Sequence, residues 1–207
     1  IINFNALIAE NASSLNNEKL KSLCSYLQIS AERLLTTYDK INTYYRLQKA
    51  VHLSELADDL ITDPHHIIDS IKSVIQKQGR IKDFEFHEPL PPLFFSKLIH
   101  IAVKELTENA CKFSEKGTLI SVSISAENWG HKISITNQTD HTTADALNKY
   151  RLFEQHQRNI AEQQGLGIGL AISKLIAGMH KGSIEFLDIE KHTPIRTIEA
   201  FLILPNS

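Results

Sequence analysis

The sequence has little that would tie it to an oxidising compartment, a membrane or a nucleic acid. Cys24 and Cys111 are its only cysteines, so we expect no disulfide framework but two reduced, mostly buried thiols. No apolar stretch approaches the roughly 20 residues needed to cross a bilayer, and no signal peptide is recognisable. The 22 Lys and Arg residues nearly balance the 24 Asp and Glu residues, which argues against a nucleic-acid-binding surface. We therefore predict a cytoplasmic protein.

The length of 207 residues suits one core of ordinary size with a helical appendage. We expect two units, residues 1–50 and residues 51–207. The first residue is Ile1 rather than methionine, which favours a fragment of a longer protein that lacks its sensor or receiver.

The first fifty residues carry an apolar stripe typical of a helix that packs against a partner helix. Residues 1–15 also have a helical pattern, and Asn16-Asn17 is a plausible break between the two helices. We predict an antiparallel helical hairpin over residues 1–50, two copies of which form a dimeric four-helix bundle. The alternative is a helix that packs within a monomer. The stripe recurs at alternating spacings of three and four and consists of Leu20, Leu23, Leu27, Ala31, Leu34, Tyr38, Ile41 and Tyr45.

From about residue 51, short strands alternate with helices. This order predicts a mixed sheet with helices on one face, a two-layer α/β sandwich of the α+β class. Residues 51–61 are either a strand or a short helix. Helices are predicted over 64–78 and 94–113, and strands over 81–88, 118–126, 131–137, 182–189 and 196–204.

Residues 105–114 read ELTENACKFS and place three polar groups on one helix face. Glu105 and Asn109 are four residues apart, and Lys112 follows three residues later. An amide oxygen can complete the oxygen shell of Mg²⁺, an ammonium group can meet phosphate charge, and a carboxylate can orient or deprotonate an attacking group. On its own, such a face is usually only solvated.

A glycine motif, GLGIGLAI, follows about fifty positions later. Gly165, Gly167 and Gly169 leave room for backbone N–H groups to approach a polyphosphate, and the next residues are predicted to form a helix with a positive N-terminus. Neither a Walker loop nor a Rossmann unit fits the flanking residues. We interpret the polar segment 148–164 as a mobile lid. The order and separation of the two motifs predict a magnesium-nucleotide pocket.

Together the motifs resemble those of bacterial sensor histidine kinases, members of the ATPase superfamily that also contains gyrase, a chaperone and MutL. ELTENACKFSEKG is similar to the N box of that family, and GLGIGLAISKLIAGMHKGSIEF is similar to its G2 box with the following helix and strand. LFEQHQR stands where the F box would lie. The resemblance covers nearly the whole chain and implies the histidine-kinase-type ATPase fold. The narrower likeness is to kinases fused behind a response-regulator receiver.

The resemblance implies a role for each candidate site residue, with ATP and Mg²⁺ as cofactors. Glu105 would act as a base or orient water, and Asn109 would hold Mg²⁺. The other nucleotide contacts would come from Lys112 and Arg158 at the phosphates, from the backbone of Gly165, Gly167 and Gly169 at the β and γ phosphates, and from Asn137 at the adenine.

The adenine motif departs from the family pattern. Asn137 stands where the family has an aspartate, and Thr139 stands where it has a glycine. An asparagine oxygen can still accept a hydrogen bond from the adenine amine, but a β-branched threonine is poorly suited to a positive φ. Asp140 could take the aspartate role after a slip of register.

The resemblance also implies partners. The phosphoacceptor histidine would lie about two helical turns before Ile1, whereas His65 and His66 follow Asp63-Pro64 and are interpreted as helix-start residues. The expected partners are a second copy of the chain and a receiver domain.

Two rival functions remain. The chain could be a degenerate, non-catalytic module that dimerises and docks a receiver while binding nucleotide weakly, as the altered adenine motif suggests. An ATPase of the gyrase or MutL kind is less well supported, because the chain has no room for a transducer domain.

Overall fold

The structure is a computed structural model that describes residues 17–50, 60–61, 65–87, 95–140, 142–150, 167–190 and 196–205. The chain divides into two compact units, residues 1–43 and residues 44–207. None of the helices within these ranges has both the length and the apolar character needed to cross a bilayer.

Helix α1 (Asn17–Lys49) carries the apolar stripe predicted from the sequence. In the first unit the stripe is largely exposed, with Leu34 at 59% and Tyr38 at 60% of full exposure. The residues of α1 from Tyr44 onward belong to the second unit, and there Leu47 is buried in the core. Residues 1–16, which would form the first arm of the predicted hairpin, lie outside the described residues.

The prediction of two mostly buried thiols is wrong for Cys24, which is exposed on α1. Residues 24–26 of α1 are all exposed, so its place beside Leu23 on the helix does not bring the Cys24 side chain under a core. Cys111 is buried as expected, and burial raises the pKa of its thiol to about 11.

A five-stranded mixed sheet forms the centre of the second unit. The strands of this unit are β1 (Leu60–Ile61), β2 (Phe84–His87), β3 (Phe95–Ser96), β4 (Ile120–Glu127), β5 (Gly130–Thr139), β6 (Ser183–Glu190) and β7 (Arg196–Pro205). Their order in the sheet is β2-β4-β5-β7-β6. β2 pairs with β4 in parallel, and the other neighbours pair antiparallel. A separate two-stranded ribbon joins β1 to β3.

Among the described residues of this unit, four α-helices accompany the sheet, namely α2 (His65–Lys77), α3 (Leu98–Phe113), α4 (Ala144–Lys149) and α5 (Ile168–Met179). Their apolar faces share one core with alternate residues of the strands, because successive strand residues point to opposite faces. In the central strands this alternation buries Val122, Ile133, Ile135, Leu202 and Leu204. The predicted two-layer α/β sandwich is confirmed.

Most predicted elements correspond closely to the observed ones, but α4 was not predicted and two elements are shifted. β2 begins at Phe84 rather than at residue 81, because Ile81–Asp83 form a short 3₁₀ helix. The other shift is at α3. The helix begins at Leu98 rather than at residue 94, because Phe95 and Ser96 pair with Ile61 and Leu60 instead. The predicted hairpin turn at Asn128-Trp129 joins β4 to β5 as expected. Of the ambiguous segment 51–61, the structure describes Leu60 and Ile61, which are extended.

His180, at the end of α5, is held between two hydrogen-bonding partners. Its Nδ1 lies 2.8 Å from the carbonyl oxygen of Ile176, and its Nε2 lies 2.8 Å from Oγ of the buried Ser96. A carbonyl can only accept, so Nδ1 donates to Ile176 and the neutral Nε2 accepts from the Ser96 hydroxyl. Burial lowers the pKa of His180, and the Ile176 hydrogen bond opposes this effect less strongly.

This neutral histidine is expected to make the protein less stable in mild acid. A lowered folded-state pKa means that the unfolded state binds more protons, so stability falls as the pH drops through about 6.5, the unfolded-state pKa, towards the folded value. Urea unfolding at about pH 7.5 and about pH 5.5 should show a smaller loss for His180→Gln than for the wild type. Equal losses would contradict this assignment.

His100 contributes to the same pH dependence and remains in both proteins. Burial lowers its pKa first, and the positive charges of Lys104, His66 and Lys97 lower it further. The comparison with His180→Gln therefore isolates the part that belongs to His180.

Candidate nucleotide-binding site

The polar residues of the first motif lie along α3 from a buried to an exposed position. Glu105 is 6% exposed, Asn109 is half-buried and Lys112 is exposed. The Nζ of Lys112 lies 5.4 Å from the centre of the Phe113 ring. Along this face of α3, Glu105 is thus the buried carboxylate and Asn109 is the half-buried amide one turn later. Lys112 is the exposed cation near the end of the helix.

Glu105 contacts the glycine motif directly. A Cβ built on Gly169 would lie 2.1 Å from Oε2 of Glu105, so a side chain at position 169 cannot coexist with the present conformation of the carboxylate. The two motifs, separated by more than fifty positions in the sequence, therefore meet where α3 packs against α5.

Ser173 links the same two helices one turn farther along α5. Its buried Oγ lies 3.0 Å from the carbonyl oxygen of Gly169 and 3.2 Å from that of Ala102 on α3. This hydroxyl fixes the distance between the backbones on either side of the Glu105–Gly169 contact.

Gly167 begins α5 in the left-handed conformation, with φ 65° and ψ 6°. Its carbonyl oxygen accepts the first helical hydrogen bond, from the N–H of Ala171. The N–H groups of the turn between these residues have no acceptor within the helix, and they are the part of a helix that binds anions. Gly165 and Arg158, the other predicted phosphate contacts, lie outside the described residues, as does most of the segment interpreted as a lid.

Asn137 and Thr139 lie near the end of β5, within the paired part of the sheet. Asn137 is half-buried, stands opposite Ile120 and Ile198, and donates from Nδ2 to the carbonyl oxygen of Gln138 at 3.3 Å. Thr139 is buried and pairs with Arg196. Among the described non-glycine residues only Lys181 has a positive φ, so Thr139 is in a conformation that suits a β-branched side chain.

Arg80 was not singled out from the sequence, yet it holds the end of the helix that carries the first motif. Its guanidinium is 2% exposed and is paired with the carboxylate of Asp83. It also donates to four carbonyl oxygens at the C-terminal end of α3 and the following turn, those of Cys111 and Ser114 at 3.1 Å, Glu115 at 2.8 Å and Thr118 at 3.1 Å.

Asp83 completes this buried cap. Its Oδ2 accepts from the N–H of Gly117 at 3.0 Å, and this bond together with the Arg80 guanidinium lowers the pKa of the Asp83 carboxyl. One acidic residue three positions after an arginine, in GRIKD, is the only trace of this arrangement in the sequence.

Residues 96–204 match the family of "Histidine kinase-, DNA gyrase B-, and HSP90-like ATPase" proteins. The match covers more than half of the chain and includes both motifs. The chain therefore belongs to this family of ATPases.

Two relatives among characterised proteins are versions of the heme sensor protein HssS. The chain is 26% identical to HssS of Staphylococcus haemolyticus over 156 residues, which are 75% of this chain and 32% of that protein. It is 29% identical to HssS of Staphylococcus aureus strain Newman over 111 residues, which are 54% of this chain and 23% of that protein. The chain thus spans about a third or less of the length of these two relatives.

Solved structures of histidine kinases share the fold. Full-length ShkA in complex with AMPPNP has a TM-score of 0.66 at 19% identity, covering 95% of this chain and 41% of that one. The Acinetobacter baumannii histidine kinase AdeS has a TM-score of 0.62 at 14% identity, covering 99% of this chain and 93% of that one. The predicted resemblance to bacterial sensor histidine kinases is confirmed, whereas the likeness to receiver-fused kinases stays a prediction.

Proposed function

We propose that the chain is the ATP-binding catalytic core of a two-component sensor histidine kinase and transfers the γ-phosphoryl group of ATP to a histidine that is none of the ten in this sequence. The phosphoryl group would then pass to the aspartate of a receiver domain in the cytoplasm. The observation that carries this proposal is the contact between Glu105 and Gly169, which joins the carboxylate and amide face of α3 to the phosphate-binding turn of α5.

The residues present fit a magnesium ion held together with a nucleotide. Asn109 offers an amide oxygen one turn from the Glu105 carboxylate, and Mg²⁺ prefers oxygen ligands. In the part of the chain that the structure describes, no three His, Cys, Asp or Glu side chains gather in one place. That composition suits an ion bound mainly by phosphates and water, with Asn109 as the protein ligand. When bound, Mg²⁺ would neutralise charge on the phosphate oxygens.

The protein would contribute mainly by positioning and by charge. The first turn of α5 would hold the β and γ phosphates through its N–H groups, and Lys112 would add a positive charge from the exposed end of α3. Glu105, fixed against Gly169, would orient the attacking group or accept its proton. Asn137 would accept a hydrogen bond from the adenine amine.

Replacing Asn109 with alanine is expected to abolish Mg²⁺-dependent ATP binding, because the variant lacks the amide oxygen that would complete the metal shell. Calorimetric titration with ATP, with and without Mg²⁺, measures this. Asn128→Ala in the exposed β4–β5 turn is the matched control and should bind like the wild type. If Asn109→Ala also binds ATP like the wild type, the chain is better described as a degenerate, non-catalytic module. The asparagine at position 137, in place of the family's aspartate, supports that alternative.

We further propose that the chain dimerises through residues 1–50. The support is the exposed apolar row of Leu20, Leu34, Tyr38 and Ile41 along α1, since a contiguous apolar surface of this kind marks an interaction site. If residues 1–50 form an antiparallel helical hairpin, the hairpin of a second copy would pack against this row and bury it in a four-helix bundle.

Light scattering at high micromolar concentration should therefore give the mass of a dimer, and the double change Leu34→Glu with Tyr38→Glu should give a monomer. Thr36→Glu adds one such charge on the opposite side of α1 and should leave the dimer intact. A monomeric wild type would sink the proposal without affecting the assignment of the nucleotide site.

A further inference from the structure

Tyr150 packs directly on the residue that starts α5. A Cβ built on Gly167 would lie 1.9 Å from the hydroxyl oxygen of Tyr150 and 2.4 Å from its Cζ. The phenol end of the side chain therefore fills the space where any other residue at position 167 would place its side chain. Tyr150 is half-buried, and burial raises the pKa of its hydroxyl, which stays uncharged beside a turn that attracts anions.

The backbone of Tyr150 is also attached to α5. Nζ of Lys174 lies 3.2 Å from the carbonyl oxygen of Leu147 and 3.3 Å from those of Asn148 and Tyr150. Lys174 is two turns along α5 from Gly167. One helix therefore contacts both the main chain and the side chain of the segment that ends in Tyr150.

Asn148 anchors this segment to the sheet as well. Its Nδ2 donates to the carbonyl oxygen of Phe186 at 2.9 Å, and its Oδ1 accepts from the N–H of Phe186 at 2.9 Å. The side-chain amide thus makes the pair of bonds that a neighbouring strand would make with β6. At the start of α4, the N–H of Ala144 donates to Asp188 on the same strand. These hydrogen bonds hold the segment that carries Tyr150 in a fixed position against β6.

We propose that Tyr150 is a positioning residue of the nucleotide site, which acts through Gly167 to fix the phosphate-binding turn of α5. Glycine reaches φ 65° readily, but the lack of a Cβ also lets it leave that conformation readily. The ring of Tyr150 restricts this freedom from outside, so that the N–H groups of the turn keep their direction. The inference rests on the proposed function, because it assumes that these groups meet the phosphates of ATP.

The test compares ATP with adenosine, which lacks phosphates. Tyr150→Ala should weaken Mg-ATP binding about tenfold, because loosening a positioned group by about 1 Å costs up to about a hundredfold in related settings. Adenosine binding should change by less than about twofold, since the turn does not meet the base. Tyr150→Phe keeps the ring and should stay within about threefold of the wild type for both ligands. Titration calorimetry and competition measure these affinities.

A second pair of variants tests the contact itself. Gly167→Ala should weaken Mg-ATP binding, because its methyl group collides with the Tyr150 ring and strains a left-handed residue. Adding Tyr150→Ala removes the collision and should restore part of the affinity, although each change alone lowers it. Should Tyr150→Ala not fold, Tyr150→Leu takes its place in both comparisons. Gly178→Ala is the control on the same helix, since nothing lies within 4 Å of its added methyl group.

Three results would overturn the inference. Unchanged ATP affinity in Tyr150→Ala would show that the turn keeps its geometry without the ring. An equal loss for ATP and adenosine would show general damage rather than positioning. Tighter ATP binding would show that Tyr150 blocks the site. A wild type that binds no nucleotide at all would instead refute the proposed function, so the two failures are distinguishable.

Discussion

Replacing Arg80 with alanine is expected to cost about 3–5 kcal/mol of unfolding free energy, as is typical when one member of a buried, paired charge cluster is removed. The loss leaves the carbonyl groups at the end of α3 without their donor and leaves the Asp83 carboxylate without its cation. A domain of ordinary stability, about 5–15 kcal/mol, would lose a large part of its margin. Urea unfolding at neutral pH, followed by circular dichroism, gives the free energy.

Two further variants separate geometry from charge at this position. Arg80→Lys keeps the charge but cannot reproduce the planar fork of donors, so it should lose about 2 kcal/mol. Lys82→Ala changes an exposed neighbour and should stay within about 0.5 kcal/mol of the wild type. If Arg80→Ala unfolds at the same urea concentration as Lys82→Ala, the buried guanidinium does not stabilise α3.

Gly169→Ala is expected to weaken Mg-ATP binding by about ten- to a hundredfold while the protein stays folded. The added methyl group meets Oε2 of Glu105, which is the far end of a side chain rather than backbone. The clash is therefore relieved by displacing the carboxylate, so the change reduces ATP affinity more than it reduces the stability of the fold. The unfolding free energy should drop by only about 1 kcal/mol. Calorimetry and thermal unfolding measure the two quantities.

Shortening the neighbouring side chain should partly reverse this effect. In the double variant Gly169→Ala with Glu105→Asp, the carboxylate is withdrawn by one methylene, and ATP affinity should recover in part. Gly178→Ala, again with open space around its methyl group, should bind ATP normally and gain up to about 1 kcal/mol of stability from helix propensity. A Gly169→Ala protein with wild-type affinity would contradict the role of the Glu105–Gly169 contact.

The motif residues can be predicted from the sequence because the residues that act together are only a few positions apart. Glu105 and Asn109 share a helix face because they are four residues apart, and Gly167 and Gly169 lie at the start of an apolar helix. The direct contact of Glu105 with Gly169 was not predicted, because no local pattern in the sequence indicates how two helices cross.

Arg80 and Lys174 could not be recognised in the same way. Besides Asp83, most partners of Arg80 are main-chain carbonyl groups 31 to 38 positions away, and every residue type presents the same carbonyl. Lys174 likewise binds carbonyl groups, 24 to 27 positions back along the chain. The sequence does not reveal such acceptors, because a main-chain carbonyl does not depend on the side chain. Arg80 and Lys174 therefore look like ordinary surface charges until the positions of the backbone atoms are known.

Strand order was equally hidden. The alternation of apolar residues predicted most of the sheet strands, but β7 inserts between β5 and β6, so that Leu202 pairs with both Ile133 and Ile184. All three strands have similar patterns, and alternation alone cannot choose among them. The strand order depends instead on which arrangement lets one face of the sheet pack against α3 and α5.

The insertion of β7 affects the order in which a growing polypeptide can fold on the ribosome. β6 leaves the exit tunnel before β7, its neighbour in the sheet, and β5 likewise waits for β7 on that side. At about 5–20 residues per second, the residues from Ser183 to Pro205 take a few seconds at most to synthesise. During that time two strand edges can pair with another nascent chain. We therefore expect translation that stops before Arg196 to release a chain that aggregates rather than a smaller folded domain.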